Sequence, residues 1–237
     1  MSDFTSWEDL DFWRSKEWED VQIRLDNLES QRYYFNPNRS DLFSSLDITP
    51  FDKVRVAIIG QDPYPNPQYA TGLAFSTPKD CINSKEYPFP PTLVNIFREL
   101  HNDLHYEWFD KEGKRSIFPK SGNLEPWAEQ GVLLWNTIPT CLQFLSLSHL
   151  HWTQWRSLTV EIVSRLNKKG ICFVLCGSIA RELKEYVDEK YSDLIEVSHP
   201  SPRGFCAGEH PFSGSRMFSR VNSFLSKDKL EPIDWKL

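Results

Sequence analysis

The sequence predicts an α/β fold in which helices cover both faces of a short parallel sheet. Four apolar runs, at residues 54–60, 131–135, 171–176 and 193–198, predict the strands. Helical patterns lie between and after these runs, at 92–104, 155–166, 179–187 and 216–225. Such alternation is typical of a parallel sheet buried on both faces. We therefore expect a three-layer α/β/α sandwich around four central strands.

The first 50 residues alternate apolar and charged positions, which predicts an amphipathic helical layer. Packing within this layer explains Trp7, Trp13 and Trp18 without any ligand. No internal repeat, low-complexity tract or linker divides the chain, and 237 residues suit one α/β core better than two. We therefore expect a single domain over residues 1–237.

Composition limits the function only weakly. The chain has 40% hydrophobic and 25% charged residues, as an ordinary globular domain does. A net charge of −6 argues mildly against a protein that coats nucleic acid through bulk charge, but a positive local cleft is compatible with it. The acidic start does not look like a secretory signal, and no apolar stretch reaches membrane-spanning length. We expect a monomeric cytoplasmic protein without a membrane partner.

The cysteines do not predict a metal site. Their number is five, and no Cys-x-x-Cys pair occurs. Cys172 and Cys176 lie on an apolar run, which favours buried free thiols in a reducing compartment. Metal or iron–sulfur ligation lacks the required ligand spacing. We expect neither a metal nor an organic cofactor.

Polar residues follow every predicted strand. The four segments are Gln61-Asp-Pro-Tyr64, Asn136-Thr137, Gly177-Ser178 and His199-Pro-Ser-Pro202. Parallel sheets bind ligands beyond the carboxyl ends of their strands. The sequence therefore predicts that Asp, Tyr, Asn and His side chains converge at one edge of the sheet.

Three of these segments resemble a known family. Gly60-Gln-Asp-Pro-Tyr-Pro65, Leu134-Trp-Asn136 and His199-Pro-Ser-Pro202 are similar to motifs of the family 1 uracil-DNA glycosylases, which include Gly-Gln-Asp-Pro-Tyr-His and His-Pro-Ser-Pro-Leu. The resemblance runs from about residue 34 to the C-terminus. It implies a uracil-DNA glycosylase-like fold and a DNA-repair enzyme for base excision. Such an enzyme flips uracil out of single- or double-stranded DNA and hydrolyses its N-glycosidic bond, leaving an abasic site.

The resemblance implies two catalytic residues. Asp62 matches the carboxylate that activates or orients the attacking water and stabilises the cationic sugar, a task suited to an anion near an oxocarbenium-like transition state. His199 matches the histidine that donates a hydrogen bond to uracil O2 as negative charge develops on the base. The structural alternatives are a turn-forming Asp and a capping His.

Four further positions match the family's uracil-binding pocket. Asn136 matches the side chain that binds uracil N3–H and O4 with one acceptor and one donor. Phe75 matches the ring on which the extruded base stacks, and Tyr64 the ring against C5 that excludes thymine. At Gln61 only the backbone is expected to line the pocket. The alternative for Phe75 and Tyr64 is ordinary packing. For Asn136 it is hydrogen bonding to backbone groups.

The resemblance also implies contacts with the DNA backbone. Hydroxyls and backbone N–H groups on proline-braced turns can position phosphates without reading sequence. These contacts are expected at Pro91, Thr92, Ser178 and Ser201. His149 matches a family histidine near the DNA backbone, and a solvated loop histidine is the alternative.

Two departures from the family pattern matter. Pro65 replaces the usual His, so the contribution of that imidazole is absent. After Pro202 the family has a Leu that wedges into the duplex, whereas this chain has a longer loop at 203–211. We expect Arg203 and Phe205 to share the filling role, with Gly204 and Gly208 letting the loop reach inward. The alternative is a surface loop with Phe205 packed on the domain, and the altered loop puts binding by DNA-mimicking inhibitor proteins in doubt.

Three other functions are compatible with parts of the sequence. A glycosylase of the same superfamily with altered base choice stays open. A catalytically weak DNA-binding scaffold is disfavoured, since it would not need Asp62, Asn136 and His199 together. A nucleotide-binding protein is disfavoured because neither Gly-x-Gly-x-x-Gly nor a phosphate-loop motif occurs.

Overall fold

Helices and strands alternate along the residues that the computed structural model describes, 5–81, 89–109 and 113–237. The strands are β1 (Phe35–Asn36), β2 (Val56–Gly60), β3 (Trp108–Phe109), β4 (Arg115–Ser116), β5 (Val132–Asn136), β6 (Cys141–Leu142), β7 (Cys172–Cys176) and β8 (Asp193–Val197). The α-helices are α1 (Lys16–Ser30), α2 (Ser44–Ile48), α3 (Pro91–Leu104), α4 (Glu125–Ala128), α5 (Thr153–Asn167), α6 (Ser178–Arg181) and α7 (Met217–Lys227). Short 3-10 helices span Trp7–Asp9, Asp11–Arg14, Arg39–Asp41, Phe51–Lys53 and Glu182–Tyr186.

Four parallel strands form the central sheet in the order β5-β2-β7-β8. Their positions confirm the predicted sheet to within two residues at each end. Every residue of β2, β5 and β7 is buried. Helices cover both faces of the sheet. The sequences of these strands are therefore continuous apolar runs and do not alternate between apolar and polar residues.

Successive side chains of each strand point into two different cores. Ile58 packs with residues of α3, α4 and α7 on one face. Its neighbour Ile59 packs with residues of α1 and α5 on the other face. This alternation follows from the two-residue period of a strand and produces the predicted three layers.

The N-terminal layer is less regular than predicted. Only α1 is a long helix, and it packs on α5; the remainder consists of short helical turns and of β1, which pairs with β6. Prolines at 37 and 50 lie between these pieces and would interrupt a continuous helix. Trp7 is buried, and Trp13 and Trp18 pack edge to face at 5.3 Å, as expected of a packed layer.

Three further expectations concern local features. The pattern at 179–187 predicts one helix, but α6 gives way to the 3-10 helix Glu182–Tyr186. Cys172 and Cys176 are buried free thiols, as predicted. The expectation about a secretory signal rests partly on residues 1–4, which lie outside the residues that the structure describes. Within the described ranges, no helix is both long and apolar enough to cross a membrane.

Candidate active site

The carboxyl ends of the central strands surround a small cavity. In the sheet register Gly60 pairs with Asn136, so the segment after β2 lies beside the end of β5. The cavity holds about 280 Å³. Its lining residues are Gln61, Asp62, Pro63, Tyr64, Pro65, Ala70, Thr71, Gly72, Leu73, Phe75, Thr92, Asn136, Ser146, His199 and Ser201. The two residues expected to be catalytic and the four expected to bind uracil thus share one cavity.

The carboxylate of Asp62 is held by three hydrogen bonds. Its Oδ2 accepts from Ser146 Oγ at 2.7 Å and from the backbone N–H of Leu147 at 2.6 Å. Its Oδ1 accepts from Gln61 Nε2 at 3.1 Å. Neither the side-chain role of Gln61 nor any role for Ser146 was predicted, because Ser146 lies 84 residues from Asp62 in the sequence and carries no local motif. The three donors fix the orientation of the carboxylate.

Hydrogen bonding fixes the tautomer of His199. The backbone N–H of Ser201 donates to His199 Nδ1 at 3.1 Å, so this nitrogen is the acceptor and the ring proton lies on Nε2. Burial lowers the pKa of His199 below its usual 6.5, more strongly than the charge of Asp62 raises it. The imidazole is therefore neutral near neutral pH and has one N–H to donate.

The side-chain amide of Asn136 lies at the end of β5 and lines the cavity. It is 7% exposed, and within the described ranges no residue forms a hydrogen bond with this amide. A buried amide without protein partners is costly unless a ligand or water satisfies it. The neighbouring Gly60 has no room for a side chain, since a Cβ there would lie 2.5 Å from Asn136 Oδ1 and 3.0 Å from Phe75 Cζ.

Two aromatic residues, Tyr64 and Phe75, belong to the apolar part of the cavity. Phe75 has a left-handed backbone (φ 67°), which is uncommon for a bulky residue and concentrates at functional sites. The hydroxyl of Tyr64 donates to the Phe75 carbonyl at 2.9 Å and so ties the two segments together. A flat ring could stack on Phe75 while its polar edge faces Asn136.

The structure places the expected phosphate contacts at helix starts and loop ends. Pro91 begins α3, and no side chain caps this helix end. Thr92 and Ser201 line the cavity, and Ser178 is exposed at the first residue of α6. An uncapped helix N-terminus with nearby hydroxyls is suited to an anion.

The structure disagrees with both interpretations of His149. The side chain is 2% exposed and stacks on Trp152 with ring centroids 4.0 Å apart. Thr140 Oγ1 lies 2.8 Å from its Nδ1. Burial, assisted by the charge of His151, lowers the pKa of His149 to about 4. A neutral, enclosed ring is neither a solvated loop histidine nor accessible to a DNA phosphate.

The loop at 203–211 folds back onto its own domain. Phe205 is half-buried and packs near Phe212, with ring centroids 6.3 Å apart. A hydrogen bond also holds the loop, since Ser198 Oγ donates to the Ala207 carbonyl at 2.8 Å. A Cβ on Gly204 would lie 2.2 Å from the His199 carbonyl oxygen, so this glycine permits close packing instead of inward reach. Gly208 likewise packs on Ser198, where a Cβ would lie 2.7 Å from Oγ.

The packing of Phe205 near Phe212 fits the packed-loop alternative, and the wedge role of this residue stays a prediction. Arg203 is exposed at the start of the same loop. The sequence could not separate these outcomes, because the burial of one ring in a long loop depends on contacts with distant residues.

Comparisons with known proteins identify the family of this chain. Residues 46–226 match the uracil DNA glycosylase superfamily. A uracil-DNA glycosylase of Geobacillus thermodenitrificans is 39% identical over 203 residues, 85% of this chain and 80% of its own. That of Sulfurimonas denitrificans is 36% identical over 209 residues, 87% and 85% of the two chains.

Solved structures of similar fold include the mimivirus uracil-DNA glycosylase. It has a TM-score of 0.80 and 28% identity, covering 96% of this chain and 85% of its own. A variant of mimivirus UNG in complex with UGI has a TM-score of 0.77 and 27% identity, over 96% and 89% of the two chains. The matched residues extend over most of the chain and include the whole central sheet. This chain belongs to the uracil DNA glycosylase superfamily.

Proposed function

We propose that this protein releases uracil from DNA by hydrolysing the N-glycosidic bond, without a metal or organic cofactor, as a DNA-repair glycosylase for base excision. One observation carries the proposal. A fixed carboxylate (Asp62), an amide without protein partners (Asn136) and a neutral imidazole donor (His199) line the same small cavity. A flat base with an imide edge is complementary to that set, and curated relatives at 36–39% identity are uracil-DNA glycosylases.

Base selection is assigned to Asn136, Phe75 and Tyr64. The amide oxygen of Asn136 accepts from uracil N3–H while its NH₂ donates to O4, which satisfies a side chain that otherwise lacks partners. Phe75 stacks on the base. Tyr64, held by its bond to the Phe75 carbonyl, lies against C5 and leaves no room for the methyl group of thymine.

Bond cleavage is assigned to His199 and Asp62. As the glycosidic bond breaks, negative charge grows on the base and positive charge on the sugar. The Nε2–H of His199 donates to uracil O2. The neutral imidazole already carries this proton, so it can donate the hydrogen bond without a change in its own protonation state. The carboxylate of Asp62 stabilises the cationic sugar and orients the water that attacks C1′. Ser146 and Gln61 position that carboxylate.

DNA is bound through its backbone at the cavity mouth. Pro91 begins α3, and the free N–H groups of this helix end can bind a phosphate. Thr92, Ser178 at the start of α6 and the loop residue Ser201 supply hydroxyls for phosphates. Arg203 is exposed beside Pro202 and can pair with a phosphate or stack on a base. These local contacts do not require a positive net charge.

Three further proposals concern inhibitor binding, cellular compartment and oligomeric state. A variant of mimivirus UNG binds UGI, which supports binding of such an inhibitor by this chain even though the loop at 203–211 is altered. The cysteines are free, as is usual in the reducing cytoplasm. We propose that the chain acts there as a monomeric single domain.

Uracil release in excess EDTA tests the proposed function. Single- and double-stranded oligonucleotides with one uracil should both be cleaved after alkaline treatment, because no step needs a metal. Oligonucleotides with thymine or cytosine in place of uracil serve as controls, and an enzyme with altered base choice would release one of these instead. Dependence on a divalent metal, or inactivity on both uracil substrates, would contradict the proposal, and inactivity with retained DNA binding would favour a scaffold.

Phe205→Ala should destabilise the fold instead of impairing duplex substrates selectively. A fully buried Phe→Ala change costs about 3–5 kcal/mol, so the half-buried ring of Phe205 should cost about 1–2 kcal/mol of unfolding free energy in urea denaturation. The exposed Arg203→Ala is the matched control and should leave stability unchanged. Unchanged stability of Phe205→Ala, with loss of activity confined to duplex DNA, would restore the wedge.

A further inference from the structure

An exposed apolar surface lies beside Asp62, and its two most exposed side chains have no part in the function proposed above. It is formed by residues 143–147, the Phe144 loop, in which Phe144 is 75% and Leu145 56% exposed. Contiguous exposed side chains of this type commonly mark a binding surface. The chain has no Asp, Glu, Lys or Arg from residue 130 to residue 155. This segment therefore cannot bind phosphates through a formal charge, and its chemistry suits an uncharged, flat partner.

The Phe144 loop is fastened to the candidate active site. The backbone N–H of Phe144 donates to the Pro65 carbonyl at 2.7 Å, while Ser146 and Leu147 both donate to Asp62. Phe144 and Leu147 have left-handed backbones, with φ of 64° and 58°. That conformation is disfavoured for bulky residues. The loop thus holds its apolar side chains in solvent at a defined position relative to the catalytic carboxylate.

The cavity mouth has two chemically different sides. The chain leaves the sheet at β5, one edge strand, and reaches the Phe144 loop through the short β6. Ser201 follows β8, the other edge strand. Ser146 and Ser201 both line the cavity between them. A DNA strand whose uracil occupies the cavity has to continue over this mouth. Hydroxyls on the side of Ser201 suit the phosphates, and the uncharged apolar loop on the other side suits the bases.

We propose that the Phe144 loop is a base-stacking site for the nucleotides next to the extruded uracil. This inference rests on the proposed function, since it requires uracil in the cavity. Extrusion removes a stacking partner from the neighbouring bases. The exposed ring of Phe144 replaces that partner, and Leu145 covers the edge of the base. Stacking of this kind tolerates any base sequence, because every base has a flat face.

The test uses two single-stranded oligonucleotides that each carry one uracil. In the second, the nucleotides on both sides of uracil lack their bases but keep their sugars and phosphates. The wild type should have about ten-fold lower kcat/KM on this base-free substrate, mainly through KM. For the double variant Phe144→Ser/Leu145→Ser, kcat/KM on the complete substrate should be about ten-fold lower than for the wild type. Its kcat/KM should be the same on the complete and the base-free substrates. Phe144→Tyr, which keeps a ring, should discriminate as the wild type does.

Ile23→Ser is the matched control, because Ile23 is 57% exposed on α1; it should discriminate between the substrates as the wild type does. Unchanged discrimination in the double variant would overturn the proposal and assign the surface to a protein partner. Equal losses on both substrates, through kcat, would also overturn it, because the effect would then act through Asp62. A wild type equally active on both substrates would overturn this inference alone. A wild type inactive on both would overturn the proposed function and this inference with it.

Discussion

Asp62→Asn should lower the rate of uracil release by about three orders of magnitude or more while leaving DNA binding nearly intact. The substitution keeps the volume of the side chain but removes the negative charge that faces the cationic sugar. An electrostatic contribution of about 4 kcal/mol to the transition state corresponds to about 10³-fold in rate. Single-turnover release of uracil measures the chemical step, and fluorescence anisotropy of a labelled oligonucleotide measures binding.

Asp193→Asn is the matched control for this change. Asp193 is an exposed carboxylate at the opposite end of the sheet, at the first residue of β8. The control should match the wild type in both measurements. A near-wild-type rate for Asp62→Asn would move the catalytic role to another group in the cavity, and a parallel loss of binding would indicate that Asp62 holds the loop at 143–147 in place.

Asn136→Asp should weaken the selection of uracil and let cytosine compete as a substrate. A carboxylate has the size of the amide but only accepts hydrogen bonds, so it repels uracil O4 and accepts from the exocyclic amine of cytosine. We expect kcat/KM on uracil to fall by about 10²- to 10⁴-fold, with detectable release of cytosine. Oligonucleotides that differ only in the target base measure both activities.

The control for the base-selection change is Asn27→Asp, which alters an exposed residue of α1 in the same way. It should leave the preference for uracil unchanged. Loss of uracil release without any gain on cytosine would show that the amide of Asn136 positions the base but does not select it.

Local patterns in the sequence were sufficient for the sheet and for most of the cavity. A buried strand is a short apolar run, and its end is marked by the first polar or glycine residue, so Gly60 and Asn136 could be located without a structure. Parallel strands place their carboxyl ends at the same edge, and therefore Asp62, Asn136 and His199 were expected to meet. Their similarity to a known family added the roles of the side chains.

The loops required the tertiary structure. Ser146 contacts Asp62 only because the chain after β6 turns back through two left-handed residues, Phe144 and Leu147. The burial of His149 against Trp152 and of Phe205 near Phe212 likewise depends on packing partners brought together by the fold. The sequence by itself determined where polar groups leave the sheet, since that depends on short-range hydrophobic patterning. Only the tertiary structure decided which loop side chains face the cavity, because their directions are set by contacts between residues far apart in the chain.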